Sequence, residues 1–477
     1  MHDFCQLLYD YFLFIFDFFV FIVYNVIHHC YFVEECDHMY YLIFFCILYV
    51  SAAIFFYRYF YSANMSSKKI FTAELIIIFI SIYLYLYLSI LSPSGDSVFI
   101  KNLINSLIYE GFSGFYDNAG ITYPPLFNFL YYFIGKILIM CGIPLSWTYR
   151  SFIFVVKLPC ICCIFGAIYI IYRNVQKNMP ENKRILPLFL MLFNPGYILV
   201  TAYICQFDAL YSLFVLLTID LLLNHRLKMA YFTFAVGILF KFQTLFIGPI
   251  LLLAIIDQVI LNNFSWKRFF SHLATGLAAI ACMILSYLPF INSSASQTMY
   301  RQPLFNNFTS SIAGYGRAST NAYNLWTLLG RNLRYDSENF GPFSCLTWGI
   351  IFIILVAGSC IFFFIKASCR ADLYPMLAAL MISGIFCFSV RMMARYLYPA
   401  LALLFLGYAV KPSRNRLLCT IFFTLAFFLN TWGDYMLYPY DVYNDTLLYP
   451  YIVSVFMLCI FAFLVCTLIL ETKKETD

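Results

Sequence analysis

The sequence predicts an all-α, polytopic membrane protein with about 13 to 15 transmembrane helices. Three observations carry that prediction. Apolar residues make up 63% of the 477-residue chain and charged residues only 11%, against roughly 25% charged in a soluble domain. Mean hydropathy is +0.83. Apolar runs recur from the N-terminus to Ile469, each of about 17 to 25 residues and so long enough to cross ~30 Å of hydrocarbon as a helix. The runs are continuous. A membrane barrel would need alternating segments of about ten residues. In lipid, every backbone polar group must then be satisfied inside a helix.

Taken in order, residues 5–27 and 40–62 form a hairpin around the acidic segment Val33-Glu34-Glu35-Cys36-Asp37, followed by Lys68 and Lys69. Residues 1–69 read as an N-terminal hairpin ahead of a larger unit, 70–477. Basic clusters anchor membrane proteins on the cytoplasmic side. Here they are Arg173/Lys177/Lys183/Arg184, Arg226/Lys228, Lys267/Arg268, Lys366/Arg370, Lys411/Arg414/Arg416 and Lys473/Lys474. With all of them inside, the spans pair as 186–206 with 207–224, and 229–244 with 245–262. Spans 269–291 and 343–366 flank an outer loop, 292–342. Spans 373–390 and 396–411 follow, then 416–431 and 451–471 around an outer loop, 432–450. The segment 70–92 crosses outward and delivers the first outer loop, 93–125. One parity problem remains. Three runs, 70–92, 126–142 and 150–172, lie between clusters that should share a side. Residues 126–142 start after Pro124-Pro125 and form the shortest run, so they are expected not to cross fully. The alternative places 173–185 outside.

The net charge of +6 is spread over these short clusters, so it points to membrane anchoring and not to nucleic acid. The cysteines sit mostly inside apolar runs, as small hydrophobes. Cys160 and Cys163 form a CxxC, but no second pair or nearby histidine completes a metal site. The first apolar run lacks a basic start and a small-residue cleavage site, so a cleavable signal peptide is not expected. Sequons occur at Asn292, Asn307 and Asn444.

Polar groups within or beside spans are costly and mark functional sites. On the outer face the sequence collects Asp96, the Gln206-Phe207-Asp208 tip after Asn194-Pro195-Gly196, Lys241-Phe242-Gln243, Asn321-Ala322-Tyr323-Asn324-Leu325-Trp326, and Arg391 with Arg395-Tyr396. Together they suit transfer of a sugar to a hydroxyl. A carboxylate takes the hydroxyl proton, and cations stabilise the departing phosphate. Asp96 is the candidate base. Arg395, Arg391 and Lys241 are the candidate phosphate groups, since Arg grips phosphate through parallel hydrogen bonds. Gln206 and Asp208 are candidates for hydroxyl binding. Gln243, Asn321, Asn324 and Tyr396 complete the substrate-binding set. An amphipathic helix at 97–110 would lie at the interface beside them. Glu110 and Asp117 read as solvated. No cofactor or metal is implied, because an Arg/Lys clamp can serve a phosphate, although a divalent metal stays compatible with the site.

The order Asp96 … Gly111-Phe-Ser-Gly-Phe-Tyr116 … Tyr123-Pro-Pro … Asn194-Pro … Gln206-Phe-Asp208 … Lys241-Phe-Gln243 … Asn321-Ala-Tyr-Asn-Leu-Trp326 … Arg395-Tyr-Leu-Tyr-Pro399 resembles the GT-C superfamily of polyprenyl-phosphate-sugar glycosyltransferases. It is most similar to the bacterial branch related to the second mannosyltransferase of GPI-anchor synthesis. The resemblance covers residues 90–410. It implies a multi-helix membrane fold, an extracytoplasmic active site with Asp96 as base, and a polyprenyl- or dolichyl-phosphate hexose as donor. The acceptor would be a glycan, lipid or protein hydroxyl. The membrane would be the bacterial plasma membrane, or the endoplasmic reticulum in a eukaryote. Two departures stand out. Ile204-Cys205 replace a Trp-Gly, and Met393-Ala394 replace a His-Glu. Two other readings stay open, a catalytically degenerate relative and a transporter or lipid flippase using the same polar groups as its cavity. A transporter predicts broken helices in symmetric halves and polar residues near the midplane, whereas the polar groups here gather on one face.

Overall fold

Among the described residues, nine helices are long and apolar enough to cross a membrane, and the chain is a multi-pass, all-α membrane protein. The computed structural model describes residues 46–52, 54–58, 66–91, 95–113, 115–118, 123–146, 148–261, 264–291, 307, 316–437 and 448–473. The first expected span with its acidic loop, most of 292–315, residues 438–447 and the sequons Asn292 and Asn444 lie outside the described residues.

After an apolar helical run at Cys46–Arg58, α1 spans Ser67–Leu91 and α2 Gly95–Asn105. Helix α3 is Pro125–Met140 and α4 is Arg150–Asn178. A broken helix, α5, runs Glu181–Tyr203. Next come α6 (Asp208–Leu223) and α7 (Leu227–Phe240), then α8 (Phe242–Leu261) and α9 (Trp266–Phe290). Helix α10 is Cys345–Lys366. Helices α11 (Ala371–Phe388), α12 (Ala394–Val410) and α13 (Arg414–Tyr435) follow, and α14 is Leu448–Lys473. The strands are two-residue pieces. They are β1 Ser319–Thr320, β2 Asn339–Phe340, β3 Phe343–Ser344 and β4 Met392–Met393. Pair β1–β4 is parallel and β2–β3 antiparallel.

Contacts between helix ends give the direction of each helix. Arg173 near the end of α4 pairs with Asp220 near the end of α6 at 2.5 Å. Asn178 donates to the Ala409 carbonyl of α12. Gln258 of α8 reaches the Leu222 carbonyl, and Lys228 of α7 reaches Ser271 of α9. Arg416 of α13 grips Glu471 of α14. Successive helices therefore alternate, and one end of the bundle gathers the basic clusters. At the opposite end lie the start of α2, the α5–α6 and α7–α8 joints, and the start of α12.

The contacts of α3 bear on the parity of the first spans. Helix α1 runs from the basic end to the far end, and α4 runs back. Tyr131 of α3 donates to the Val156 carbonyl near the start of α4. Helix α3 therefore packs beside the start of α4 and, through Gly135, against Ile104 and Ile108.

Between helices, lipid supplies no hydrophobic drive, so close packing and hydrogen bonds hold the bundle. Helices α11 and α12 are buried along nearly their whole length and form its centre. Helix α9 and α10 sit outside, with Leu277, Ile284, Ile354 and Ile365 exposed in the way of lipid-facing residues. Gly196 shows how tight the centre is. A Cβ there would lie 2.4 Å from the Phe427 ring.

At the basic end Arg416 is fully buried. It donates to both oxygens of Glu471 at 2.8 and 2.6 Å and to the Gly407 carbonyl at 2.8 Å. This ties α12, α13 and α14 together. Breaking a buried pair by removing one partner typically costs about 3 to 5 kcal/mol. Arg416→Met is expected to lower thermal stability in detergent by that order, and the double variant Arg416→Met/Glu471→Leu is expected to recover most of it. Thermal unfolding of the purified protein checks both.

Candidate functional site

The site is built where helices break. Asn194 starts it. Its side chain accepts from the Gly196 and Tyr197 amides at 3.1 Å each, as an N-cap does, and donates to Thr424 of α13 at 3.0 Å. The chain then closes α5 with a π turn, Ile198–Tyr203. The last carbonyls of a helix have no partner within it. Here the Ala202 and Tyr203 carbonyls accept from Lys157 Nζ, at 2.9 and 2.8 Å. Cys205 follows at φ 69°, a left-handed residue that turns the chain sharply into Gln206. Gln206 is buried, and its Nε2 donates to Asp96 Oδ2.

Asp208 sits two residues on, fully buried in the first turn of α6. The positive end of the helix dipole favours a carboxylate there. Its Oδ1 accepts from Lys241 Nζ at 2.6 Å, and its Oδ2 lies 3.7 Å from Arg395 Nε. Lys241 occupies the joint between α7 and α8 in an extended conformation, φ −161° and ψ 132°. Its ammonium also lies 5.2 Å from the Tyr211 ring centroid and 5.0 Å from that of Tyr396, within cation–π range. Arg395 donates from Nη1 to the Tyr435 hydroxyl at 3.0 Å. Asp208 Oδ2 and Arg395 Nε have no hydrogen-bond partner among the described residues.

Asp96 therefore shares one neighbourhood with Gln206, Asp208, Lys241, Arg395 and Tyr396. Burial raises its carboxyl above the usual carboxylate range. Arg395 opposes that rise, Asp208 adds to it and Lys241 opposes it. Among the described residues, no group of three or more His, Cys, Asp or Glu is arranged to hold a metal ion.

The other residues singled out in the sequence lie outside this group of charges, with Asn321 at its edge. Arg391, at φ 63°, pairs through Nε with Asp336 at 2.5 Å and so braces the loop 316–344. Asn324 is a helix cap. Its Oδ1 accepts from the Trp326 and Thr327 amides, and its Nδ2 donates to the Phe386 carbonyl. Gln243 lies on the opening turn of α8 and takes no part in the hydrogen bonds or ion pairs of the cluster. Asn321 is buried and bonded to Asn332. Glu110 is exposed, and the side chain of Asp117 lies outside the described residues. Met393 and Ala394, where the resemblance departs, belong to β4 and the first turn of α12. Helix α2 buries Ile100, Leu103 and Ile104, the apolar face expected for 97–110.

Sequence reasoning missed Lys157, Tyr211, Asp434 and Tyr435. Lys157 carries a signal that could have found it, a charge in the middle of an apolar run. The others have none that separates them from the many neighbouring tyrosines and loop acids. No family model matches the chain, and no curated protein is significantly similar to it in sequence.

Lys157→Met removes the donor from the Ala202 and Tyr203 carbonyls, which stand just ahead of Gln206. Buried acceptors left unpaired cost about 1 to 3 kcal/mol each. The expected outcome is a lower unfolding temperature, together with faster amide exchange at residues 202–206, measured by hydrogen-exchange mass spectrometry.

Proposed function

We propose that this protein is an integral membrane hexosyltransferase. It moves a hexose, mannose in the first instance, from a polyprenyl- or dolichyl-phosphate donor to an acceptor hydroxyl on the extracytoplasmic face. The observation that carries the reading is the gathering of Asp96, Asp208, Lys241 and Arg395 at one end of the bundle, opposite the basic clusters. Positive clusters mark the cytoplasmic side, which favours the other side for this site.

In this reading the acceptor hydroxyl oxygen attacks the anomeric carbon and its proton passes to the Asp96 carboxylate. The bond from the anomeric carbon to the phosphate oxygen breaks, and the lipid phosphate leaves with the electron pair. The sugar configuration inverts. Arg395 compensates the charge that develops on the leaving phosphate. Gln206 orients the base. Asp208 holds Lys241 and Arg395 in place, so both cations are set before substrate arrives and need little reorganisation.

The layer between the two ends is supported by buried apolar residues such as Leu190, Ile164, Leu216 and Leu403. That layer also holds buried polar groups, Asn194 bonded to Thr424 among them, but the charged groups gather at one end, and this one-sided gathering favours the enzyme over a membrane transporter or flippase, which needs polar groups near the midplane. The substitutions at Met393 and Ala394 favour a catalytically degenerate relative as the second reading.

Asp96→Asn is expected to abolish transfer from a polyprenyl-phosphate hexose in a proteoliposome assay, with expression and unfolding temperature kept. Transfer retained in that variant would sink the base assignment. A base must be ionised, and burial raises the Asp96 carboxyl. Activity should therefore rise with pH through a value above the ordinary carboxylate range. Gln206→Leu deletes a hydrogen bond that favours the ionised form. It is expected to move the acid limb of the pH–rate profile up by about one unit, since a hydrogen bond to a charged group contributes ~1.5–3 kcal/mol.

A further inference from the structure

One carboxylate at this end of the bundle has no role in the reaction just described. Asp434 sits on the π turn Gly433–Leu437 that closes α13. It lies within hydrogen-bonding reach of the Asn321 side chain and in the field of Arg395 and Asp96. π turns inside helices occur frequently at functional sites.

Two separate clamps bring Asp434 and Asn321 together. The first ties the outer loop to α13. Asn430, four residues before Asp434, accepts from the Tyr323 amide at 3.1 Å and donates to the Tyr323 carbonyl at 3.2 Å. The second ties the same loop to the strand that carries Arg395. Ser319 and Thr320 pair with Met392 and Met393, and Asn321 bridges Met393 directly. Asn321 itself is held at φ 51°, a left-handed conformation that asparagine tolerates better than most residues. Asn332 fixes its amide. Asn332 Nδ2 donates to Asn321 Oδ1 at 2.9 Å, which leaves the Asn321 NH₂ group facing Asp434. The pair therefore offers a planar carboxylate, which only accepts, beside a planar amide that donates. A sugar hydroxyl both donates and accepts, so adjacent hydroxyls match such a pair. Asp208 Oδ2 and Arg395 Nε, buried atoms without a hydrogen-bond partner among the described residues, belong to the same cluster.

We infer that Asp434 and Asn321 form the sugar-recognition subsite of the donor, reading hexose hydroxyls while Arg395 takes the phosphate. This inference rests on the hexosyltransferase reading and adds the residues that select the sugar. A site built to hydrogen-bond a hydroxyl discriminates strongly against ligands that lack it, because its own polar groups are then left unpaired.

The test is binding to the full chain in lipid nanodiscs, followed by thermal shift. The probes are farnesyl phosphate, farnesyl-phosphate mannose and farnesyl-phosphate glucose. Asp434→Asn keeps the side-chain size, and Asn321→Gly suits the left-handed backbone. The unfolding temperature without ligand reports on folding in each. For the wild type, one sugar phosphate is expected to bind about 10-fold or more tighter than farnesyl phosphate, which is ~1.4 kcal/mol. Each variant is expected to lose most of that gain, while binding of farnesyl phosphate changes by less than about two-fold. Arg395→Gln is expected to weaken all three probes. Variants that keep the wild-type gain overturn the subsite and leave the transferase reading standing. Equal losses for farnesyl phosphate and its sugar derivatives also overturn it, since they would mean a general effect on the site. A wild type that binds none of the probes overturns the transferase reading and the subsite with it.

Discussion

The structure depends on one buried charge. Asp208 is fully buried, and an isolated ionised carboxylate in a low-dielectric setting is very costly. It is tolerable here because Lys241 meets one oxygen at 2.6 Å and Arg395 stands 3.7 Å from the other. Those two cations come from chain segments far from Asp208 and from each other. The need to neutralise Asp208 therefore draws three helix joints, α5–α6, α7–α8 and β4–α12, to one point. None of the three joints is a regular helix. Gln206 follows a left-handed Cys205, Lys241 is extended, and Arg395 follows a strand. Irregular backbone at membrane depth survives where it is buried in protein or lines a cavity.

The opposite end of the bundle solves the same problem with different chemistry. Arg416 is as buried as Asp208, but its partner Glu471 meets it through two parallel hydrogen bonds, and the Gly407 carbonyl takes a third donor. That arrangement engages both Glu471 oxygens, and Asp372 stands 3.6 Å from the same guanidinium. At the Asp208 end, by contrast, Asp208 Oδ2 and Arg395 Nε stay without hydrogen-bond partners among the described residues. An ion pair whose carboxylate is doubly engaged holds helices together, whereas one with open polar atoms can bind. This difference separates a staple from a site more sharply than charge alone.

Several parts of the site were legible from residue type and position. Asp96, Gln206, Asp208, Lys241 and Arg395 each break an apolar context or stand at its edge, and the structure brings them together. Arg391 and Asn324 gave the same signal, yet one pairs with Asp336 and the other caps a helix. A polar group beside a span must find a partner, but its sequence neighbourhood does not say whether that partner is protein or ligand. Asp434 was hidden for the opposite reason. It stands in a loop-like stretch where an acid is ordinary, and only the clamp between Asn430 and Tyr323 carries it toward Arg395.

Hydropathy and basic clusters alone determined the all-α class and the multi-pass character. These follow from local quantities, the length of an apolar run and the charge at its ends, which lipid and backbone hydrogen bonding act on directly. The tertiary structure alone decided that α3 packs against the start of α4, that Asp208 is a counter-ion to two cations, and that Asp434 and Asn321 meet beside Arg395. Those outcomes depend on which distant segments share a buried charge or a backbone hydrogen bond. Such pairings are chosen by the packed whole, because each polar group accepts any suitable partner the fold delivers.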